Sequence, residues 1–297
     1  MNKLSVIVVR DLLHDFIPND MVKAFLNQSL DVENYEVVIP LKNNSDLYET
    51  IALDLERQGI NTRYFYTDNS CRSKLVNLAI DHSEGDIILF LGEDFVPNEN
   101  LLRIHYEAHT KDTSDNITIF GPTSFPERIT QRSAFTKWLD DSGQLTGINF
   151  TNEVPTRSFF FYFGNSSLKR SLTERLGPVN EDLPYPCLDD YEYGVRMKKL
   201  GIRSRYEPKA SAIHDHPLDE KERTLAMYQA GYSSGILNKK LNALLLITRQ
   251  LVKLVLNYLR TLTLKQENLW RYRLHLSFIK GMLSFYLVKY FRSTDFN

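Results

Sequence analysis

Asp86-Ile-Ile-Leu-Phe-Leu-Gly-Glu-Asp94 joins an unbroken apolar run to a pair of acids. The run through Leu91 has the length and continuity of a strand covered on both faces, which places Glu93 and Asp94 at its carboxyl end. Upstream, Leu4-Ser-Val-Ile-Val-Val9 has the same character, and between the two runs the pattern alternates. Asn19–Leu30 reads as a helix, Tyr35–Ile39 as a strand, Leu47–Gln58 as a helix stopped by Gly59, Thr62–Tyr66 as a strand, and Ser73–His82 as a helix closed by Gly85. Strands with continuous apolar character alternating with helices predict an α/β fold whose mostly parallel sheet is flanked by helices. Ligands of such sheets bind beyond the carboxyl ends of the strands, so Arg10, just past Val9, and Glu93 and Asp94 become candidate ligand-binding residues.

Downstream of Gly121 the chain is read as irregular as far as Pro155, with Pro122, Pro126, Gly143 and Gly147 and no sustained period. Long loops of this kind in compact domains are usually functional or mobile. Ser158–Phe163, aromatic at every position but the first, leads into Gly164-Asn-Ser-Ser, then a helix Lys169–Leu176 stopped by Gly177-Pro178. A helix Asp189–Leu200 and strand patterns at Ser204–Tyr206 and Ala210–Ile213 follow.

The chain holds 36 Lys and Arg against 37 Asp and Glu, but eleven of the basic residues and only Glu267 and Asp295 of the acids lie from Lys239 onward. A basic end on an acidic body points to an anionic partner, phospholipid or nucleic acid. As one helix, Leu241–Leu264 would gather Asn242, Arg249, Lys253, Asn257 and Arg260 into a sector of about 80°, leaving Leu, Ile and Val on the rest. Leu269–Phe291 mixes aromatics with Lys and Arg, a composition suited to a headgroup interface. Two readings stay open: a peripheral membrane contact, or a helical hairpin packed on the body or on a second copy, as in a homo-oligomer. Nucleic acid is disfavoured because the cations ride on a wide apolar face. The division expected is therefore a body, 1–238, and a basic amphipathic helical tail, 239–297.

Cys71 and Cys187 lie far apart and outside metal-type spacing, and are read as two reduced cytosolic thiols. The run Leu4–Val9, followed at once by Arg10 and Asp11, is no secretory leader, and Arg249, Lys253 and Arg260 interrupt the best candidate for a membrane span. The chain is thus expected to be cytoplasmic, on the inner face of the membrane if the tail binds lipid.

Three constellations carry chemistry. Carboxylates at a sheet rim are costly to bury without a cation, and a hard divalent ion on a diphosphate would compensate Glu93 and Asp94. In Cys187-Leu-Asp-Asp-Tyr-Glu-Tyr-Gly194, Asp189 and Glu192 have capping-box spacing, leaving Asp190 at the positive end of a helix, ionised and placed as a general base. In Ile213-His-Asp-His-Pro217, alternation puts His214 and His216 on one side, where one can ligate a metal while the other binds phosphate or faces solvent.

The order of these pieces resembles the family 2 glycosyltransferases with the GT-A fold. Phe90-Leu-Gly-Glu-Asp94 resembles their acidic metal motif, Gly164-Asn-Ser-Ser-Leu-Lys-Arg170 their N-x-S-x-K/R, and Leu176-Gly-Pro-Val-Asn-Glu181 their G-x-F-D-E. Leu188-Asp-Asp-Tyr-Glu-Tyr-Gly-Val-Arg-Met197 is similar to E-D-x-E-L-G-x-R-L, Glu207-Pro-Lys-Ala with His214-Asp-His-Pro217 to P-E-A…H-x-H-P, and Lys74–Asn77 to the K-x-x-N helix. The resemblance spans roughly Leu4–Lys239. It implies transfer of a sugar, with inversion, from a nucleotide-diphosphate donor to a glycan or lipid-linked acceptor, as in polysaccharide or glycolipid synthesis. Asp94 and His214 would bind Mn²⁺ or Mg²⁺ and Asp190 would be the catalytic base. Arg10, Lys74, Glu93, Asp94 and Asn165 would lie on the donor side, and Asp189 and His216 on the acceptor side.

Two departures stand out. Where the family usually has a pair of nucleoside-binding acids after the second strand, the chain reads Ile39-Pro-Leu-Lys-Asn-Asn44, and the first acid of the usual D-x-D is Gly92. They keep a second reading in play, a catalytically silent relative serving as a membrane-associated binding or scaffolding subunit.

Overall fold

The computed structural model describes residues 3–10, 20–43, 46–68, 71–112, 114–142, 161–238, 243–263 and 265–294. The amino-terminal half runs β1 (Leu4–Val9), α1 (Met21–Leu26), a 3-10 turn (Val32–Asn34), β2 (Tyr35–Lys42), α2 (Asp46–Arg57), β3 (Thr62–Thr67), α3 (Arg72–Asp81) and β4 (Ile87–Gly92). It continues with β5 (Phe95–Pro97), α4 (Leu101–Lys111), β6 (Ile117–Phe120), β7 (Thr123–Ser124), α5 (Glu127–Thr130) and α6 (Ala134–Asp141). Then come β8 (Asn165–Lys169), α7 (Arg170–Leu176), α8 (Asp189–Lys199), β9 (Arg203–Tyr206), β10 (Ala212–His214), α9 (Glu220–Leu237), α10 (Ala243–Thr261) and α11 (Gln266–Thr294).

The main sheet has the order β3-β2-β1-β4-β8-β6-β9. β3, β2, β1 and β4 are mutually parallel, in keeping with the mostly apolar sequences of the inner three; β1 is buried at every position, while β3 forms the half-exposed edge. One face packs Leu4, Val6 and Val8 against Met21, Phe25, Tyr48 and Leu55 of α1 and α2; the other packs Ile7, Val38 and Phe90 against Val76, Ala79, Leu172 and Tyr193.

The strand β8 was not foreseen. Its sequence, Asn-Ser-Ser-Leu-Lys, has little strand propensity, yet it runs antiparallel between β4 and β6. Burial of the Ser167 hydroxyl is compensated from α4, its Oγ lying 2.7 Å from His105 Nδ1 and 2.9 Å from His109 Nε2, and Ser166 Oγ accepts from the Tyr162 amide at 3.3 Å. A second sheet, β5-β10-β7, sits past the end of β4.

The stretch read as irregular after Gly121 contains two short helices, α5 and α6, and its residues beyond 142 lie outside those described, as do Ser158–Phe160 of the aromatic run. Phe135 and Trp138 of α6 pack on Trp270 and Leu274 of α11. Helix α9, also unforeseen, opens with a full capping box between Asp219 and Glu222. It packs on α11 through glycines at close approach: a side chain at Gly231 would collide with the Phe278 carbonyl, and one at Gly281 with the Tyr228 carbonyl. These contacts join the two sides of the division expected at residue 238. The tail is helical as read, in α10 and α11, with Asn242 and Leu264 outside the described residues.

Candidate active site

The main sheet hands its chain to the small one at Gly92-Glu-Asp94. Antiparallel pairing of β5 with β10 puts Phe95 opposite His214, and the Asp215 amide donates to the Asp94 carbonyl at 2.8 Å. Asp94 and His214 are thereby fixed side by side. His214 Nε2 stands 2.6 Å from Asp94 Oδ2 and His216 Nδ1 4.0 Å from the same oxygen. Phe95 and Phe125 clamp the His214 ring with centroids at 4.9 and 4.7 Å, and its buried Nδ1 has no hydrogen-bond partner among the described residues. Burial alone would raise the Asp94 pKa, but the two imidazoles outweigh it and hold the carboxyl below its ordinary range.

One ligand atom from each of Asp94, His214 and His216 falls within 4.8 Å of the others. A carboxylate with two imidazoles suits a transition ion such as Mn²⁺ better than Mg²⁺, which prefers an all-oxygen shell. Sequence reasoning left one histidine of the pair for phosphate or the acceptor; the structure brings both to Asp94.

Glu93 turns the other way. Its Oε2 accepts from Arg10 Nε at 3.1 Å, Tyr48 hydrogen-bonds it as well, and the Arg10 guanidinium lies 3.7 Å from the Tyr48 ring centroid while donating to the Pro40 carbonyl at 3.0 Å. Burial first, then the Glu93 charge, push the Tyr48 phenol up. Glu93 is therefore engaged in a buried ion pair under the site and does not stand in beside Asp94 for the missing first acid, and Arg10, fully buried, reaches the site only through it.

Before α8, Leu188 adopts φ 68°, a left-handed conformation that costs a non-glycine residue roughly 1–2 kcal/mol and is often retained near functional sites. The capping box expected between Asp189 and Glu192 does not form: Leu188 occupies the cap, and Asp189 is the first helical residue, fully buried. Arg72 of α3 grips the Asp189 carboxylate through two nitrogens, Nε at 2.8 Å and Nη2. Although burial opposes charge on Arg72, Asp189 outweighs it and keeps the guanidinium protonated.

Asp190, the next residue, projects into the cavity instead. Its Oδ1 accepts the Tyr191 amide at 2.7 Å, and Phe163 supplies a further backbone hydrogen bond. Burial and the neighbouring Asp189 charge nonetheless raise its pKa to about 6, against the opposing pull of Arg72. The helix start was expected to hold this group low; desolvation wins over the dipole.

A cavity of about 280 Å³ brings Asp94, His214, His216, Asp190, Arg72 and Glu93 together, with Gly164 in its wall where any side chain would collide with the Phe95 and Tyr162 rings. Residues 19–177 match the family model described as Glycosyl transferase family 2. The chain belongs to glycosyl transferase family 2. Among curated protein sequences none matches it.

Solved structures place this family 2 chain in the GT-A fold. The mannosyltransferase PcManGT from Pyrobaculum calidifontis, in complex with GDP-Man and Mn²⁺, superposes with a TM-score of 0.63 at 13% identity, over 96% of this chain and 87% of that one. S. aureus TarS 1-349, in complex with UDP-GlcNAc, gives 0.56 at 14% identity, over 81% and 72%. Against another crystal structure of S. aureus TarS the match covers 39% of the relative's length. Asp190, His214 and His216 all lie beyond the stretch matched by the family model, so their assembly is a finding of the structure.

Not every residue expected at the site reaches it. Asn165 is fully buried in β8, its amide nitrogen donating to the Ala210 carbonyl at 2.7 Å and its oxygen 3.0 Å from His105 Nε2, so its polar atoms are committed to the protein. Lys74 sits half-buried on α3 outside the cavity wall, and Asp189 lies behind the wall, bound to the lining residue Arg72. Conversely, Glu222, Arg223 and Ala226 of α9 line the cavity, as does Arg72. The capping pattern Asp219-x-x-Glu222 signals the start of α9; nothing in the sequence singles out Arg72.

Proposed function

We propose that the chain transfers a sugar from a nucleotide-diphosphate donor to an acceptor hydroxyl, with Asp190 as general base and inversion at the sugar carbon. The observation that carries this reading is the sharing of one cavity by Asp94, His214, His216 and Asp190. PcManGT and TarS 1-349, bound to GDP-Man and UDP-GlcNAc, support a nucleotide-sugar donor.

Asp94, His214 and His216 would hold a divalent cation, Mn²⁺ by the chemistry of the donor set. Such an ion neutralises the charge of a departing diphosphate. The chain's own contribution is to hold Asp94 ionised, to keep the His214 ring fixed between two aromatic rings, and to present Asp190. A carboxylate of pKa about 6 is ionised at neutral pH and is more basic than an ordinary aspartate, which favours removal of the acceptor proton. One base and one displacement give inversion.

A hydroxyl of a glycan or lipid-linked saccharide presented at the inner face of a membrane is the acceptor in this reading, and the exposed apolar side of α10 supports that location. None of the described helices is long and apolar enough to cross a membrane.

The departures at Pro40-Leu-Lys42 and Gly92 favour a second reading, a silent relative that binds without turnover. Nucleotide release from a panel of nucleotide sugars with Mn²⁺, in wild type and Asp190→Asn, separates the two. Turnover that collapses in the variant supports catalysis; equal residual rates remove Asp190 as the base, and binding without turnover establishes the silent relative.

A further inference from the structure

We infer that α10 is an in-plane anchor for an anionic lipid bilayer. The inference deepens the membrane location in the proposed function and rests on that reading for its purpose, but its physics is independent of catalysis.

Helix α10 presents polar side chains to α11 and turns most of its apolar residues away from it. Gln250 and Asn257 face α11, where Gln250 Oε1 lies 3.1 Å from His275 Nε2 and Asn257 Nδ2 lies 3.0 Å from His275 Nδ1. With Leu254 and Thr261 these residues fill a sector of about 60°. Leu251, Val252, Val255, Leu256, Leu259 and Leu262 occupy a separate arc of about 140° and are each 45 to 66% exposed. Between the two sectors lie Arg249, Lys253 and Arg260, all exposed, within about 40°. A soluble helix packs its apolar side inward; here that side is turned out, which marks an interaction face.

Charge decides the occupant. No Asp or Glu occurs between Lys239 and Gln266. A second copy seated antiparallel on this face by twofold symmetry would bring its cations against the first copy's, with no acid on α10 to neutralise them. Lipid phosphates neutralise that edge while the adjoining arc enters the acyl boundary, and the stems of Arg249, Lys253 and Arg260 reach the headgroups. The same three cations rule out a spanning orientation for the helix.

The test is co-sedimentation of the full chain with vesicles of phosphatidylcholine alone or mixed with phosphatidylglycerol. The double variants Val255→Asp/Leu259→Asp and Lys253→Glu/Arg260→Glu are compared with wild type. The wild type should bind the anionic vesicles at least about tenfold more tightly than the neutral ones, and each double variant should lose that binding. Because the altered side chains are exposed, the melting temperature and the donor-induced thermal shift should stay unchanged, which separates failure here from failure of the catalytic reading. The inference is overturned if the wild type ignores anionic vesicles or if Val255→Asp/Leu259→Asp binds them as well as wild type. A dimer that this variant dissociates, with no vesicle binding, overturns it in favour of a second copy.

Discussion

His214 Nε2 rests 2.6 Å from Asp94 Oδ2 across 120 residues of sequence, held there by the pairing of β10 with β5. Strand pairing sets the imidazole and the carboxylate side by side, with His216 within reach of the same oxygen. Asp94→Asn and His214→Ala should each remove Mn²⁺-dependent stabilisation by a nucleoside diphosphate and lower turnover by at least about 100-fold. Thermal shift with and without Mn²⁺ checks this; an unaltered metal effect in His214→Ala contradicts it.

Asp190 carries opposite signs for activity and stability. Its raised pKa means that the folded state binds the proton more tightly than the unfolded chain, so its stabilising contribution is present at low pH and is lost as pH rises through about 6. Asp190→Asn should therefore melt about 2 °C or more higher at neutral pH, while turnover drops by about 10²- to 10⁴-fold. The wild-type rate should climb with pH through about 6. A variant that loses both activity and stability would point to a structural role.

The histidines of α4 predict an acid sensitivity. Burial lowers the pKa of His105 to about 4 and, with the charge of His105 added, that of His109 to about 3. The unfolded chain takes up protons near pH 6.5, so the stabilising contribution of these groups is present above that value and is lost as pH falls toward about 4. The difference in melting temperature between wild type and His109→Gln, followed from pH 7 to pH 4.5, should narrow or reverse as the pH drops. A constant difference would show that this histidine does not titrate on unfolding.

Arg72 gives a sharper stability test. Arg72→Ala leaves the buried Asp189 carboxylate without its partner and should cost about 3–5 kcal/mol in denaturant unfolding. Arg72→Lys, which lacks the bidentate fork, should recover only part of that loss. A cost below about 1 kcal/mol would mean that solvent or another cation reaches Asp189.

Close approach of α9 and α11 can be probed by adding one methyl group. Gly281→Ala would drive Cβ into the Tyr228 carbonyl and should destabilise by about 1–3 kcal/mol. Because α9 also carries Glu222 and Arg223, turnover should fall with it. A neutral substitution would contradict the packing of these helices.

Much of this was readable before folding was considered. β1, β2 and β4 announce themselves because strands buried on both faces are mostly apolar, and the edge strand β3 shows in its aromatic and β-branched residues; Asp94, Asp190 and the two histidines stand at element ends, where chains deliver ligands. What escaped was set by contacts distant in sequence. β8 is a strand by its pairing with β4 and β6, and its buried Ser167 hydroxyl is met by His105 and His109, contacts that no local propensity encodes. Asn165 looked free for ligand until its amide met Ala210 and His105. The spacing to Glu192 set Asp189 apart from Asp190 but for the wrong reason: Asp189 is held by Arg72, a contact distant in sequence, while Asp190 faces the cavity. Alternation left open which of His214 and His216 ligates metal, because it fixes a side of the strand but not the distance to Asp94.

The most direct test of the central claim is a Mn²⁺ titration followed by electron paramagnetic resonance of the free aquo ion, in the presence of a nucleoside diphosphate, for wild type and the double variant Asp94→Ala/His214→Ala. One ion per wild-type chain, and none held by the double variant under the same conditions, is the predicted result. Equal stoichiometry and affinity in the two proteins would contradict a cation site at Asp94, His214 and His216.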